Sequence, residues 1–321
     1  MNAPNLAETS AALTRVRTEM EKAVVGQRRV LDRVLTAMLA GGHVLLEGVP
    51  GTGKTLLVQS LGRAVGGRTG RISFTPDLMP ADITGTNVLD RRTGEFRLVK
   101  GPVFCDVLLA DEVNRAPPKT QAALLEAMQE SKATLDGTTY DISPVFTVLA
   151  TQNPVEFEGT YPLPEAQRDR FLLRVTVDYP SEDEEREILV RAHQGRASND
   201  PAATRIEQVL TIDDLVHHRR AVTAVRVDDS VLDYVRDVVR ATRRHDAVRL
   251  GGGPRASLAL LLASKAHALL AGRDYVNPDD VQSLAPDVLA HRLLYVPEAE
   301  IEGVTVEDVL RDVFASVEVP R

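Results

Sequence analysis

The chain has 321 residues, 43% of them apolar and 26% charged, and a formal charge of −8. At roughly 150 residues per domain this length points to two domains, and the acidic balance disfavours nucleic-acid binding through bulk charge. The single cysteine, Cys105, excludes an internal disulfide framework and a cysteine-rich zinc site.

Residues 7 to about 41 read as helical, because Val30, Leu31, Val34, Leu35 and Met38 recur at helical spacing and Gly41-Gly42 stops the pattern. His43 to Glu47 is a short apolar run of the kind that forms a buried strand, a Gly-rich loop follows, and Leu56 to Val65 resumes the helical period. Further strand-like runs occupy Arg71 to Phe74, Val107 to Ala110 and Val145 to Thr151, with helical segments such as Gln121 to Ser131 between them. Short buried strands alternating with helices predict an α/β fold, a parallel sheet covered on both faces. The pattern changes after Tyr179-Pro180. Ser181 and Glu184 form a capping-box pair, and Thr211, Asn277 (with Pro278 behind it) and Thr305 each open another amphipathic stretch with acids in its first turn. No strand is expected there, so an α/β domain over 1–180 is followed by an all-helical domain over 181–321, with Gly195 to Ala203 as its most loop-like segment. The longest apolar candidate, Ala256 to Gly272, is interrupted by Lys265 and His267, and Met1 to Ser10 has no signal-peptide features. The expectation is a soluble, cytoplasmic protein without a membrane span.

Gly48-Val49-Pro50-Gly51-Thr52-Gly53-Lys54-Thr55 matches G-x-x-x-x-G-K-[ST] in full, between a predicted strand and a predicted helix. Glycines let backbone N–H groups wrap phosphates, and the helix N-terminus adds its positive end. The candidate nucleotide-binding residues are therefore Gly48, Pro50, Gly51, Thr52, Gly53, Lys54, Thr55 and Leu56. Lys54 is expected to reach the β- and γ-phosphates of ATP, and the Thr55 hydroxyl to ligate Mg²⁺. A second carboxylate for the metal comes from Val107-Leu108-Leu109-Ala110-Asp111-Glu112, four apolar residues running into an acidic pair. Asp111 is assigned to Mg²⁺ through water and Glu112 to the polarisation of the attacking water. Phe146 to Thr151 delivers Gln152-Asn153-Pro154 to a third strand end, where Asn153 either senses the γ-phosphate or opens an Asn-Pro turn; beside the other motifs the sensor is favoured. Read alone, Arg170 is a helix-surface charge. Cys105 is a small buried hydrophobe, and the histidines have no metal-ligand spacing.

Together, Val24-Val25-Gly26-Gln27, the P-loop, Leu109 to Ala116, Ala150 to Pro154, Gly159 to Gln167, Asp169-Arg170-Phe171 and Pro254-Arg255-Ala256 resemble the MoxR family of AAA+ ATPases, over nearly the whole chain from about residue 20. The resemblance implies a P-loop AAA+ core with a helical lid. It implies that Val25 and Gly26 pack on adenine, and that Arg170, with nearby Arg168 as the rival, is an arginine finger for the neighbouring subunit. It assigns Arg255 to the γ-phosphate of its own subunit. Gly251 to Gly253 stands where the family has Gly-Ala-Ser. The resemblance also implies two insertions. One lies within Asp77 to Gly101, with Glu95 to Val99 as one arm. The other is a hairpin over Ala133 to Tyr140, whose Asp136-Gly137 is in its own right a hairpin signal.

The leading function is ATP-driven, chaperone-like remodelling or maturation of protein complexes, possible metal or cofactor insertion included. The assembly implied is a ring homo-oligomer, a hexamer, working on a client protein and beside a von Willebrand A domain partner. A magnesium-chelatase-like ATPase subunit is the alternative. A nucleic-acid motor is the third class, disfavoured by the charge and by the lack of a separate DNA-binding module.

Overall fold

The computed structural model describes residues 5–49, 51–92, 94–152, 159–195 and 205–320. In chain order, α1 (Leu6–Glu21) and α2 (Arg28–Leu39) lead into β1 (Val44–Glu47), the P-loop, α3 (Lys54–Ala64) and β2 (Thr69–Ser73). A short α4 (Pro80–Thr84) and the hairpin β3 (Gly85–Leu89)–β4 (Phe96–Lys100) precede β5 (Val107–Asp111). Then come α5 (Pro118–Glu130), the hairpin β6 (Lys132–Leu135)–β7 (Thr138–Asp141), β8 (Thr147–Gln152), α6 (Glu165–Arg168) and β9 (Leu173–Thr176). The remainder comprises α7 (Glu182–His193), α8 (Ile212–Ala224), α9 (Asp229–Thr242), β10 (Val248–Leu250), α10 (Pro254–Leu270), α11 (Pro278–Leu289), β11 (Leu294–Tyr295), α12 (Pro297–Glu302) and α13 (Val306–Ser316).

Five strands form one parallel sheet in the order β2-β5-β8-β1-β9. Alternate residues feed opposite faces: Val107, Leu109 and Leu149 join the core shared with α1, α2, α3 and the helical part, whereas Leu108, Ala110, Val148 and Ala150 pack under α5 and the hairpins. Adjacent β1 and β8 send the chain in opposite directions along the sheet, β1 to β2 and β8 to β9, and such a reversal opens a ligand crevice at the carboxyl ends. The Ser181–Glu184 capping box forms as read, and the three helix starts read from their first-turn acids are capping boxes too, Thr211 with Asp214, Asn277 with Asp280 and Thr305 with Asp308. Both insertions are two-stranded antiparallel hairpins, and Asp136 and Gly137 take φ of 47° and 80°, the left-handed pair a two-residue turn needs. Among the described residues no helix is long and apolar enough to cross a membrane.

Three expectations are corrected. The first helix is two helices, because Gly26 (φ 66°) and Gln27 (φ 58°) are both left-handed and a right-handed helix cannot pass through them. The helical part contains a small antiparallel pair, β10–β11, too short to leave an alternating pattern. The sheet also has a fifth strand, β9, which the sequence reading did not name. Most of the loop-like segment Gly195 to Ala203 lies outside the described residues.

Buried polar groups tie the helical part to the sheet. Arg219 on α8 donates to the carbonyls of Met38, Pro144 and Val145 and to the Thr147 hydroxyl. Asp287 on α11 accepts from Arg33 and Arg29 of α2, each at 2.6 Å. His43, at the foot of β1, donates from Nε2 to the Met128 carbonyl and accepts the Val148 N–H at Nδ1, which fixes a neutral imidazole. Burial pushes its pKa down to about 4. An unfolded histidine titrates near 6.5, so the unfolded chain binds the extra proton first; this contribution is complete above about pH 6.5 and is lost as the pH falls through 4, about 3 kcal/mol in all. Denaturant midpoints at pH 7 and pH 4.5 should therefore differ less for His43→Gln than for the wild type. An unchanged difference would assign the acid sensitivity to other groups.

Candidate nucleotide site

The chain leaves β1 at Glu47 and enters α3 at Lys54, so the intervening loop lies at the carboxyl edge of the sheet with a helix N-terminus behind it. Gly53 caps that helix with φ 79°, and a Cβ at Gly48 would come within 2.2 Å of the Val177 carbonyl oxygen, so neither position takes another residue without rearrangement. Pro50 lies outside the described residues. The Lys54 ammonium folds back onto its own loop, 2.9 Å from the Gly48 carbonyl and 2.8 Å from that of Val49. Burial pulls its pKa below the ordinary lysine range, opposed by the Asp111 and Glu112 carboxylates across the cleft.

Those carboxylates are positioned by three residues the sequence reading did not assign to the site. Asp111 accepts the Thr151 hydroxyl at 2.7 Å and an Arg71 guanidinium N–H at 2.8 Å. Glu112 sits in the left-handed region (φ 57°); its own N–H donates to the same Thr151 hydroxyl at 2.8 Å, and its carboxylate accepts from Arg115 at 2.9 Å. A left-handed non-glycine residue at the end of a strand is a costly conformation, retained where it aims a functional side chain. Thr151 was legible as the hydroxyl residue ending a core strand. Arg71 was not, since only the sheet order places β2 beside β5.

One cleft of about 670 Å³ is lined by Gly48, Gly51, Thr52, Gly53, Lys54, Thr55, Leu56, Gln59, Arg71, Asp111, Glu112, Thr151 and Gln152. A Cβ built on Gly51 or Gly53 would meet nothing within 4 Å, so the loop is an open cradle of backbone at a helix N-terminus. A hydroxyl (Thr55) and a carboxylate (Asp111) share the cleft, an all-oxygen donor set of the kind Mg²⁺ takes beside phosphate. The residues present thus fit a nucleotide with its metal.

The other sequence candidates fall elsewhere. Val25 and Gly26 form the α1–α2 turn outside this lining; a Cβ on Gly26 would run into the Glu184 carboxylate of α7, and Gln27 donates to the Asp178 carbonyl at 3.0 Å. Asn153 lies outside the described residues, next to the cleft residue Gln152. Arg170 is half-buried and donates to the Leu125 carbonyl at 2.7 Å. Arg255, at the start of α10, is 59% exposed and 3.5 Å from Asp169, the residue before Arg170. Neither arginine lines the cleft.

A parallel five-stranded sheet with a P-loop and an acidic pair at its carboxyl edge, followed by a helical lid, defines an AAA+ ATPase. The family model described as the ATPase family associated with various cellular activities matches residues 43–173, and the AAA lid domain model matches 240–313. The chain is 44% identical to Chaperone MoxR1 of Mycobacterium tuberculosis over 99% of its own length and 85% of that protein. It is 33% identical to Protein MoxR of Methylorubrum extorquens, over 96% and 95% of the two. A solved structure from Cytophaga hutchinsonii superposes with a TM-score of 0.91 at 38% identity, covering 98% of this chain and 97% of that one. The chain belongs to the MoxR family of AAA+ ATPases.

Proposed function

We propose that this protein hydrolyses ATP to ADP and phosphate in a Mg²⁺-dependent reaction and uses that energy for chaperone-like remodelling or maturation of protein complexes. The observation that carries the reading is the convergence of Lys54, Thr55, Asp111 and Glu112 in one cleft around an open backbone cradle. Loop N–H groups and Lys54 bind the phosphates, Lys54 exchanging its two loop carbonyls for phosphate oxygens. Thr55 and Asp111 would hold Mg²⁺, which would supply neutralisation of the phosphate charge. Glu112 accepts the proton of the attacking water, and Asn153, one residue beyond Gln152, orients that water against the γ-phosphate. Val25 and Gly26 contact adenine at the α1–α2 turn, beside the Glu184 carboxylate of α7.

The site is completed in a ring homo-oligomer, a hexamer, by Arg170 of the adjacent subunit. Because Arg255 donates to the carboxylate of Asp169, the residue preceding Arg170, we assign both guanidinium groups to the same subunit edge, facing the neighbour's phosphates rather than their own. The two insertion hairpins touch through Asn87 and Asp136 at 2.7 Å, and the first of them, β3–β4, exposes Val88, Leu89, Val99 and a 72% exposed Phe96, which suits contact with a client protein. Work in the cytoplasm, a von Willebrand A domain partner and metal or cofactor insertion extend this reading. So does the division into 1–180 and 181–321, which falls at the capped start of α7. The relative named Chaperone MoxR1 supports the chaperone class.

Removing a charged phosphate ligand tests the core of it. With a fluorescent ATP analogue and Mg²⁺, Lys54→Ala should bind about 10- to 100-fold more weakly than the wild type, the effect of losing charge-assisted hydrogen bonds. Equal affinity would contradict the assignment.

A further inference from the structure

Arg292 lies between α11 and β11, in the helical part of the chain, yet most of its partners belong to the segment that carries Arg170. Its side chain is 5% exposed. Nε donates to the Asp169 carboxylate at 2.7 Å. One terminal nitrogen donates to the carbonyls of Leu172 (3.2 Å) and Val288, the other to those of Asp169 (3.3 Å) and Phe171 (2.7 Å). An arginine has five N–H donors, and each here has an acceptor. Beside it, the buried His291 shares the Phe171 carbonyl through Nε2 at 3.0 Å. Arg170 is thus bracketed: the carbonyls immediately before and after it are gripped by one guanidinium from the helical part. The carboxylate of the residue before it bridges that guanidinium to Arg255.

We propose that Arg292, acting through Asp169, is a positioning residue that fixes Arg170 and Arg255 as one unit on the subunit edge, so that a shift of the helical part in one subunit moves the guanidinium groups offered to the next. The proposal rests on the reading of Arg170 as a group acting across the subunit boundary. Its physical content is geometric. The set of bonds fixes the backbone on both sides of a residue that must meet a transferring phosphoryl group, where about 1 Å of misplacement costs on the order of 10²-fold. Lysine cannot replace the clamp, since three donors on a tetrahedral head do not match five acceptors fixed in a planar fork.

The test separates what a subunit gives its neighbour from what it does at its own cleft. Glu112→Gln supplies an intact Arg170 but a dead cleft, and Arg170→Ala supplies an intact cleft but no finger. Mixing the two gives the reference recovery of ATP hydrolysis. Adding Arg292→Lys to the Glu112→Gln protein should reduce that recovery about 10- to 100-fold. Arg292→Lys alone, mixed with Glu112→Gln, should recover hydrolysis at the reference level, because its own cleft is untouched. Asp169→Asn, isosteric with aspartate, should reproduce the same asymmetry and carries the test if Arg292→Lys does not fold. Full recovery with the clamp-deficient donor, or equal loss in both directions, would overturn the proposal and leave Arg292 a fold contact. No recovery in the reference mixture, with mixed oligomers verified by mass, would remove the trans reading and the proposal with it.

Discussion

Glu112→Gln is expected to bind ATP as the wild type does while hydrolysing it about 10² to 10⁴ times more slowly, the usual consequence of removing a general base. The substitution keeps the length of the side chain and one oxygen acceptor for Arg115, and it leaves Thr151 bonded to the Glu112 N–H and the Asp111 carboxylate. The cleft should therefore keep its shape and lose only the group that takes a proton. Phosphate release at saturating ATP, set against analogue binding by the same preparation, separates the two effects. Hydrolysis at the wild-type rate would show that another residue handles the proton.

Arg170→Ala should lose activity by a comparable or larger factor, about 10³ to 10⁵ in finger-dependent NTPases, although Arg170 lines no part of its own subunit's cleft. A guanidinium arriving from a neighbour stabilises the charge that develops on the transferring phosphoryl group in a setting from which water has been excluded. Mixing Arg170→Ala with Glu112→Gln, each inactive alone, should restore hydrolysis. In a head-to-tail ring of randomly mixed subunits, roughly a quarter of interfaces pair an intact cleft with an intact finger. Arg168, which ends the short helix α6 two residues before Arg170, is the rival, and its buried Nε has no hydrogen-bond partner. Replacing Arg170→Ala by Arg168→Ala in the same mixture should give no pairing of two inactive proteins, because Arg168→Ala should be active by itself.

The parts of the molecule built from consecutive residues were legible in the sequence. The P-loop, the acidic pair ending β5, the Asp136-Gly137 hairpin, the Ser181–Glu184 capping box and the starts of three further helices depend on local spacing, and local spacing is what a sequence displays. Where long-range contacts decide, it gave less. Arg71 reaches Asp111 only because β2 pairs with β5, forty residues away in the chain. Thr151 serves both acidic residues only because β8 lies on the other side of β5. The grip of Arg292 on Asp169 spans 123 positions and leaves no periodicity behind. The break between α1 and α2 was hidden for the opposite reason, since apolar residues on both sides kept a helical period while two left-handed residues turned the chain. Strands of two and three residues such as β11 and β10 are too short to alternate visibly.

The central claim is that a complete site exists only between two subunits, and the most direct measurement is ATP hydrolysis per subunit as a function of protein concentration. With saturating ATP and Mg²⁺, specific activity should rise with concentration and level off where sedimentation shows the ring to be assembled. ATP should also shift assembly to lower protein concentration, because it is contacted from both sides of the interface. A specific activity that is constant down to concentrations where the protein sediments as a monomer would contradict the account, because one chain would then hold everything that hydrolysis requires.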